Sequence, residues 1–88
     1  MRILIIDDDP NYGQAMTSFL TGQKHEVQRI LDPKIALKRI KEEADQFDVI
    51  LLDLIMPGMS GLELLRKLRE AGIPLPVVLV SGFADLES

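Results

Sequence analysis

Residues 49–61 read VILLDLIMPGMSG: a short apolar run, a single aspartate, and a loop containing methionine, proline and glycine. The apolar run at 49–52 predicts a strand buried on both faces, because no polar residues alternate with the apolar ones. Asp53 ends this strand. Ser60 predicts the N-cap of a following helix, since Glu63 lies three residues further on, as in a capping box.

A second apolar run, at residues 3–6, leads into acidic residues in the same way. It is followed by Asp7, Asp8 and Asp9, and then by Pro10. Asp9 is a suitable helix N-cap because Pro10 fits the first helical position, where its missing N–H costs no hydrogen bond. Each run therefore predicts a strand that passes through aspartate towards a helix.

The rest of the chain continues this alternation. Residues 25–31 predict a shorter strand, a second helix begins at Pro33 after the capping residue Asp32, and residues 77–80 predict a fourth strand. The resulting order is β-α-β-α-β-α-β in one domain, residues 1–88, with no internal repeat or linker. This order is typical of an α/β fold with a parallel sheet and right-handed crossovers.

Composition excludes several classes of protein. The 88 residues include no cysteine, which rules out a disulfide scaffold, a thiolate metal site and a cysteine nucleophile. A net charge of −4 argues against direct binding to nucleic acid, which needs a basic surface. The apolar run at residues 3–6 is too short for a signal peptide or a membrane span, so no membrane partner is expected.

Polar residues follow three of the predicted strands. In a parallel sheet the strands end at one edge, where Asp7, Asp8, Asp53 and Ser81 would gather. Converging carboxylates repel one another unless a cation neutralises them, and an oxygen-only cluster suits Mg2+. The competing interpretation, that such aspartates only form loops and cap helices, is preferred for Asp9 but not for this group.

The order and spacing of these motifs resemble a known family. Residues 3–10 (ILIIDDDP), 49–65 (VILLDLIMPGMSGLELL) and 78–82 (VLVSG) look like the receiver domain of two-component response regulators. The resemblance runs along the whole chain, and its middle block is the most specific part. It implies a three-layer, flavodoxin-like α/β fold with strand order 2-1-3-4-5.

The resemblance also implies a role for each site residue. Asp53 would be the phosphoacceptor, and Ser81 would hydrogen-bond a phosphoryl oxygen. Asp8, Asp53 and the backbone carbonyl of Ile55 would bind Mg2+ directly, and Asp7 would hold it through water. The chain would accept a phosphoryl group from a histidine kinase or a phosphotransfer protein in the cytoplasm. It would not be an enzyme beyond this self-catalysed transfer.

Compared with this family, the chain ends where the fourth helix should begin. The last strand, two helices and a phosphoryl-contacting lysine are absent from residues 1–88. The expected consequence is an open apolar edge at 77–80, which is a site for pairing. Self-association or a partner that covers this edge is therefore predicted.

Two alternatives to the phosphoacceptor function remain at this point. The chain could be a signalling-impaired receiver that serves as an oligomerisation or interaction module. It could also be a Mg2+-dependent phosphohydrolase with an aspartate nucleophile. That chemistry usually has a second aspartate two residues after the nucleophile, where this sequence has Ile55.

Overall fold

A computed structural model describes residues 1–80 of the protein. The predicted roles of Ser81 and of the last residues therefore lie outside the described part. The elements, in chain order, are β1 Arg2–Ile6, α1 Pro10–Gly22, β2 Glu26–Ile30, α2 Pro33–Glu43, a 3₁₀ turn Ala44–Gln46, β3 Val49–Asp53, α3 Gly61–Glu70 and β4 Val77–Val80. This order confirms the predicted alternation of strands and helices.

The four strands form one parallel sheet in the order β2-β1-β3-β4. In β1 and β3 the register pairs Ile6 with Leu52, and in β3 and β4 it pairs Asp53 with Val80. The C-terminal ends of these strands consequently meet at the same edge of the sheet. The predicted α/β class and the strand order over the first four strands are confirmed.

The main core lies between one face of the sheet and helices α2 and α3. Leu4, Ile6, Ile50 and Leu52 of the sheet are completely buried there with Ile40, Leu64 and Leu68 of the helices. Burying each such side chain contributes about 1.5–3 kcal/mol. This face of the sheet holds α2 and α3 in place and so positions the loops that precede them.

Helix α1 covers the opposite face of the sheet. Ile5 and its register partner Arg29 point to this face, because neighbouring residues of a strand alternate between faces and Ile6 lies in the main core. From the sheet, the Arg29 side chain contacts Gly13 of α1. The fold therefore has three layers, with α1 on one side and α2 and α3 on the other.

One apolar residue of helix α3 faces solvent. The spacing of Leu62, Leu64, Leu65 and Leu68 predicts one apolar stripe facing the core. This prediction is wrong for Leu62, which is 59% exposed. Leu64 and Leu68 are four residues apart and share the buried side with Gly61, whereas Leu62 lies one residue, about 100° of helical rotation, beyond Gly61.

Strand burial falls from the centre of the sheet towards β4. Residues 3–6 of β1 are buried on both faces. In β3 only Ile50 and Leu52 are buried, while Val49 and Leu51 on the α1 side are half-buried, so the prediction of burial on both faces is wrong for this strand. No helix within residues 1–80 is both long and apolar enough to cross a membrane.

Candidate phosphoacceptor and metal site

Three aspartates meet at the C-terminal edge of the sheet. Asp7 and Asp8 follow β1, and Asp53 ends the neighbouring strand β3. Each offers a carboxylate oxygen, and the three oxygens lie within 4.8 Å of one another. The structure thus brings together the three carboxylates that the sequence predicted as a group.

Asp7 is the most buried member of the group, with 6% of its surface exposed. Its Oδ1 accepts a hydrogen bond of 2.7 Å from the backbone N–H of Asp9. Burial is the main factor that raises the pKa of Asp7, and the charges of Asp8 and Asp9 raise it further, against the lowering effects of this hydrogen bond and of Arg29. The folded chain therefore holds this negative charge at a cost.

Asp53 is half-buried, and its Oδ1 accepts a hydrogen bond of 3.3 Å from the N–H of Ile55. The pKa of Asp53 is raised, first by burial and then by the charges of Asp7 and Asp8, while the Ile55 hydrogen bond opposes the shift. Both raised pKa values have the same physical origin, which is partial loss of water around carboxylates that repel each other.

This donor set fits a hard divalent cation. The three groups are all carboxylates, and Asp8 is exposed, so it leaves the cluster open to an ion and its water. A divalent ion would relieve the repulsion between the carboxylates, and Mg2+ prefers oxygen ligands and keeps several waters. The residues at this edge are therefore suited to Mg2+ rather than to a soft metal.

The loop between β3 and α3 packs tightly beneath the site. Met56 and Met59 of this loop are buried in the core. Gly61 begins α3 so close to Asp53 that a β-carbon there would stand 2.2 Å from the Asp53 carbonyl oxygen. The N–H of Gly61 donates to the carbonyl oxygen of Leu54 at 2.9 Å. The start of α3 is thus held against the backbone that carries Asp53.

Comparison with known proteins agrees with this architecture. The family model for the response regulator receiver domain matches residues 3–88. The chain belongs to this family.

Similar proteins include curated response regulators. This receiver domain is 32% identical to the response regulator RppA of Synechocystis over 88 residues, all of this chain and 38% of RppA. It is 39% identical to the DNA-binding response regulator MtrA of Mycolicibacterium smegmatis over 84 residues, 96% of this chain and 36% of MtrA. The chain thus spans little more than a third of the length of these two relatives.

Solved receiver domains share the fold closely. The receiver domain of the Francisella response regulator 1452 has a TM-score of 0.86 and 30% identity, covering 98% of this chain and 69% of that one. The response regulator TrrA of Thermotoga maritima, in complex with Mg2+ and BeF, has a TM-score of 0.85 and 28% identity, covering 96% of this chain and 71% of that one.

The predicted site residues are distributed as follows in this receiver domain. Asp7, Asp8 and Asp53 form the cluster, and Ile55 lies in the following loop with its N–H on Asp53. The Ile55 side chain is 61% exposed and turns away from the core. Ser81 is beyond the described residues.

Tyr12 is a neighbour of the site that the sequence analysis did not identify. It lies in the first turn of α1, and burial raises the pKa of its phenol, with further contributions from the charges of Asp7 and Asp53. The available signal was its position one helical turn after the acidic run. That spacing alone does not show which side of α1 faces the acidic cluster.

Proposed function

We propose that this receiver domain accepts a phosphoryl group on Asp53 from the phosphohistidine of a histidine kinase or a phosphotransfer protein, with Mg2+ as cofactor. One observation carries the proposal: a carboxylate oxygen of Asp53 lies within 4.8 Å of oxygens of Asp7 and Asp8 at the C-terminal edge of the sheet. Aspartate is an established nucleophile in aspartyl-phosphate chemistry.

The proposed step is a transfer between two covalent partners. A carboxylate oxygen of Asp53 attacks phosphorus, a P–O bond forms, and the P–N bond to the donor imidazole breaks. The imidazole leaves with the bonding electron pair and takes up a proton. The chain ends modified on its own side chain, so we propose that it does not turn over as an enzyme.

Charge is the obstacle to this step, because an anionic phosphoryl group must approach three carboxylates. Mg2+ would neutralise the charge on both the phosphoryl group and its acceptor. We assign Asp8, Asp53 and the Ile55 carbonyl as direct ligands and Asp7 as a ligand through water. Asp7 is suited to this supporting role because its Oδ1 is already engaged by the N–H of Asp9. We further propose that Ser81 binds a phosphoryl oxygen.

The direct test is phosphorylation by a small phosphodonor, with Mg2+ present, followed by mass spectrometry. We expect one adduct on Asp53 and no adduct in Asp53→Asn. Asp8→Asn should bind Mg2+ more weakly and so need a higher Mg2+ concentration to form the adduct. The exposed Asp45 in the 3₁₀ turn supplies a matched control, because Asp45→Asn removes the same charge outside the cluster. An adduct that survives Asp53→Asn would refute the assignment.

The exposed edge of the sheet favours a second role as an interaction module. Within residues 1–80, β4 pairs with β3 alone, and the side chains of Val78 and Leu79 are 49% and 37% exposed. An unpaired apolar strand edge is a template for pairing with another chain. We propose that a second copy or a partner polypeptide covers Val77–Val80.

Light scattering over a range of concentrations tests this second role. We expect self-association that Val78→Lys weakens, whereas Gln14→Lys on the exposed surface of α1 leaves it unchanged. A stable monomer at every concentration would rule out pairing between copies. The expected cytoplasmic location stays a prediction, for which cell fractionation is the test.

A further inference from the structure

The guanidinium of Arg29, on β2, lies against α1 at a position where the helix has no side chain. Gly13 is the one buried residue of α1, and a β-carbon on it would stand 2.7 Å from Arg29 Nε and 2.8 Å from Arg29 Nη2. Both distances are too short for a real contact, and the obstructing atoms belong to the planar guanidinium. The guanidinium therefore fills the space that any larger residue at position 13 would need.

The same guanidinium is bonded to the start of α1. Arg29 Nη2 donates a hydrogen bond of 3.0 Å to the carbonyl oxygen of Pro10, the first residue of the helix. The backbone of Arg29 is held in β2, where it pairs with the buried Ile5 of β1. Arg29 thus connects the sheet to the first turn of α1 at two points, Pro10 and Gly13.

The first turn of α1 is connected in turn to the acidic cluster. Asp9 caps this turn, with its Oδ1 accepting from the N–H of Asn11 at 2.9 Å and of Tyr12 at 3.4 Å. The backbone N–H of Asp9 donates to Asp7 Oδ1 at 2.7 Å. A movement of the first turn would therefore move the donor that orients the Asp7 carboxylate.

We propose that Arg29 is a positioning residue for the metal site. Its contacts with Gly13 and with the Pro10 carbonyl oxygen form a clamp that holds the first turn of α1 in place and thereby fixes the orientation of Asp7. This inference rests on the proposed function, because it gives Asp7 its role beside Mg2+. The charge of Arg29 does not explain such a role. A positive charge near the site opposes the binding of a cation, so charge and position have opposite effects on Mg2+ affinity.

That opposition makes the test decisive. If Arg29 positions the loop, Arg29→Ala weakens Mg2+ binding even though a positive charge has been removed. If Arg29 acts only by its charge, Arg29→Ala strengthens Mg2+ binding. Arg29→Lys keeps the charge but loses the planar group that covers Gly13, so we expect it to weaken Mg2+ binding as well.

A metal-free measurement separates the clamp from the proposed metal site. Amide hydrogen exchange at Asp9 and Tyr12 reports the order of the first turn. We expect exchange in Arg29→Ala to be faster by several-fold, on the order expected for the loss of one hydrogen bond. Arg66→Ala is the matched control, because Arg66 is exposed on α3 and pairs with Glu70.

A double-mutant cycle with Gly13 tests the contact itself and does not depend on Arg29→Ala alone. Gly13→Ala in the native background should displace the guanidinium, speed exchange at Asp9 and weaken Mg2+ binding. In the Arg29→Ala background the same substitution should be harmless or stabilising, because the obstructing group is gone and alanine favours the helix.

The outcomes are distinguishable. Unchanged exchange at Asp9 in both Arg29→Ala and Gly13→Ala, additive effects in the cycle, or tighter Mg2+ binding in Arg29→Ala would overturn the positioning role. Faster exchange at Asp9 in Arg29→Ala, together with no Mg2+ binding by the native protein, would support the clamp and refute the proposed metal site instead.

Discussion

Gly61 stands directly against the backbone of the proposed phosphoacceptor, Asp53. A β-carbon at position 61 would lie 2.2 Å from the carbonyl oxygen of Asp53 and 2.9 Å from its carbonyl carbon. Both neighbours are backbone atoms, which cannot rotate away as a side-chain end would. The first turn of α3 and the end of β3 are therefore packed as one unit, and a methyl group between them must separate them.

Gly61→Ala should therefore be destabilising and should disturb the site. We expect a loss of about 1–3 kcal/mol in the free energy of unfolding, as for other overpacked positions. Phosphorylation of Asp53 should be slower. Urea unfolding and the phosphodonor assay measure the two effects.

Gly22 provides the control for that substitution. Apart from its own chain neighbours and the adjacent helix backbone, a β-carbon on Gly22 would meet no atom within 4 Å. Gly22→Ala should leave phosphorylation unchanged and can gain up to about 1 kcal/mol of stability by restricting the unfolded chain. Equal effects of the two substitutions would contradict the packing argument.

The raised pKa values of Asp7 and Asp53 predict how stability varies with pH in the absence of metal. The folded state keeps protons on these carboxyls to higher pH than the unfolded chain does, because the pKa of an aspartate in an unfolded chain is about 3.9. Between the unfolded and the folded pKa the folded state binds more protons, so this contribution to stability falls as pH rises through that window. It stays lost at neutral pH.

Asp53→Asn should consequently stabilise the metal-free protein at neutral pH and flatten its pH dependence above pH about 4. Urea midpoints measured with a chelator at several pH values provide the test. Asp45→Asn, at an exposed position, should have little effect. If the native protein were instead more stable as these groups ionise, the account of a repulsive, partly desolvated cluster would be wrong.

Tyr12 offers a spectroscopic report on the same cluster. The chain has one tyrosine and no tryptophan, so ultraviolet absorbance titrates Tyr12 alone. We expect its pKa to lie above 10.0, mainly through burial. Asp53→Asn should lower this pKa towards its ordinary value, because one nearby negative charge is removed. A Tyr12 pKa that does not respond to Asp53→Asn would place the phenol outside the field of the site.

The two aspartate caps that precede a proline should separate stability from metal binding. Asp9 caps α1, and Asp32 caps α2 through a hydrogen bond of 2.8 Å from the N–H of Lys34. Asp9→Ala and Asp32→Ala should each cost about 1 kcal/mol of stability. Only Asp9→Ala should also weaken Mg2+ binding, because only α1 begins beside Asp7.

Calorimetric titration with Mg2+ and urea unfolding of both cap variants measure these effects. Equal weakening of Mg2+ binding by both substitutions would show that global stability, and not the first turn of α1, controls the site.

Much of this fold was predictable from local sequence. Capping residues and prolines fix where helices begin, and the predicted starts at Pro10, Pro33 and Gly61 agree with the structure. Apolar runs identify strands, and their alternation with helices implies a parallel sheet. The meeting of Asp7, Asp8 and Asp53 follows from that topology, since parallel strands end at one edge.

Other features depended on contacts between residues far apart in the chain. Leu62 and Leu64 are equally apolar, and only the docking of α3 on the sheet decides that Leu64 is buried and Leu62 exposed. The sequence gives no sign that Gly13 matters within α1. Its role follows only from the fold, which brings Arg29, sixteen positions later in the chain, against it.

The sequence by itself thus determined the elements, their order and the acidic edge, because hydrogen bonding within a turn and the period of apolar residues are local properties. Only the tertiary structure decided which helix face is buried, how closely Gly61 approaches Asp53, and that Arg29 reaches the start of α1. These depend on packing between separate layers, where differences of a few tenths of an ångström decide which side chains fit.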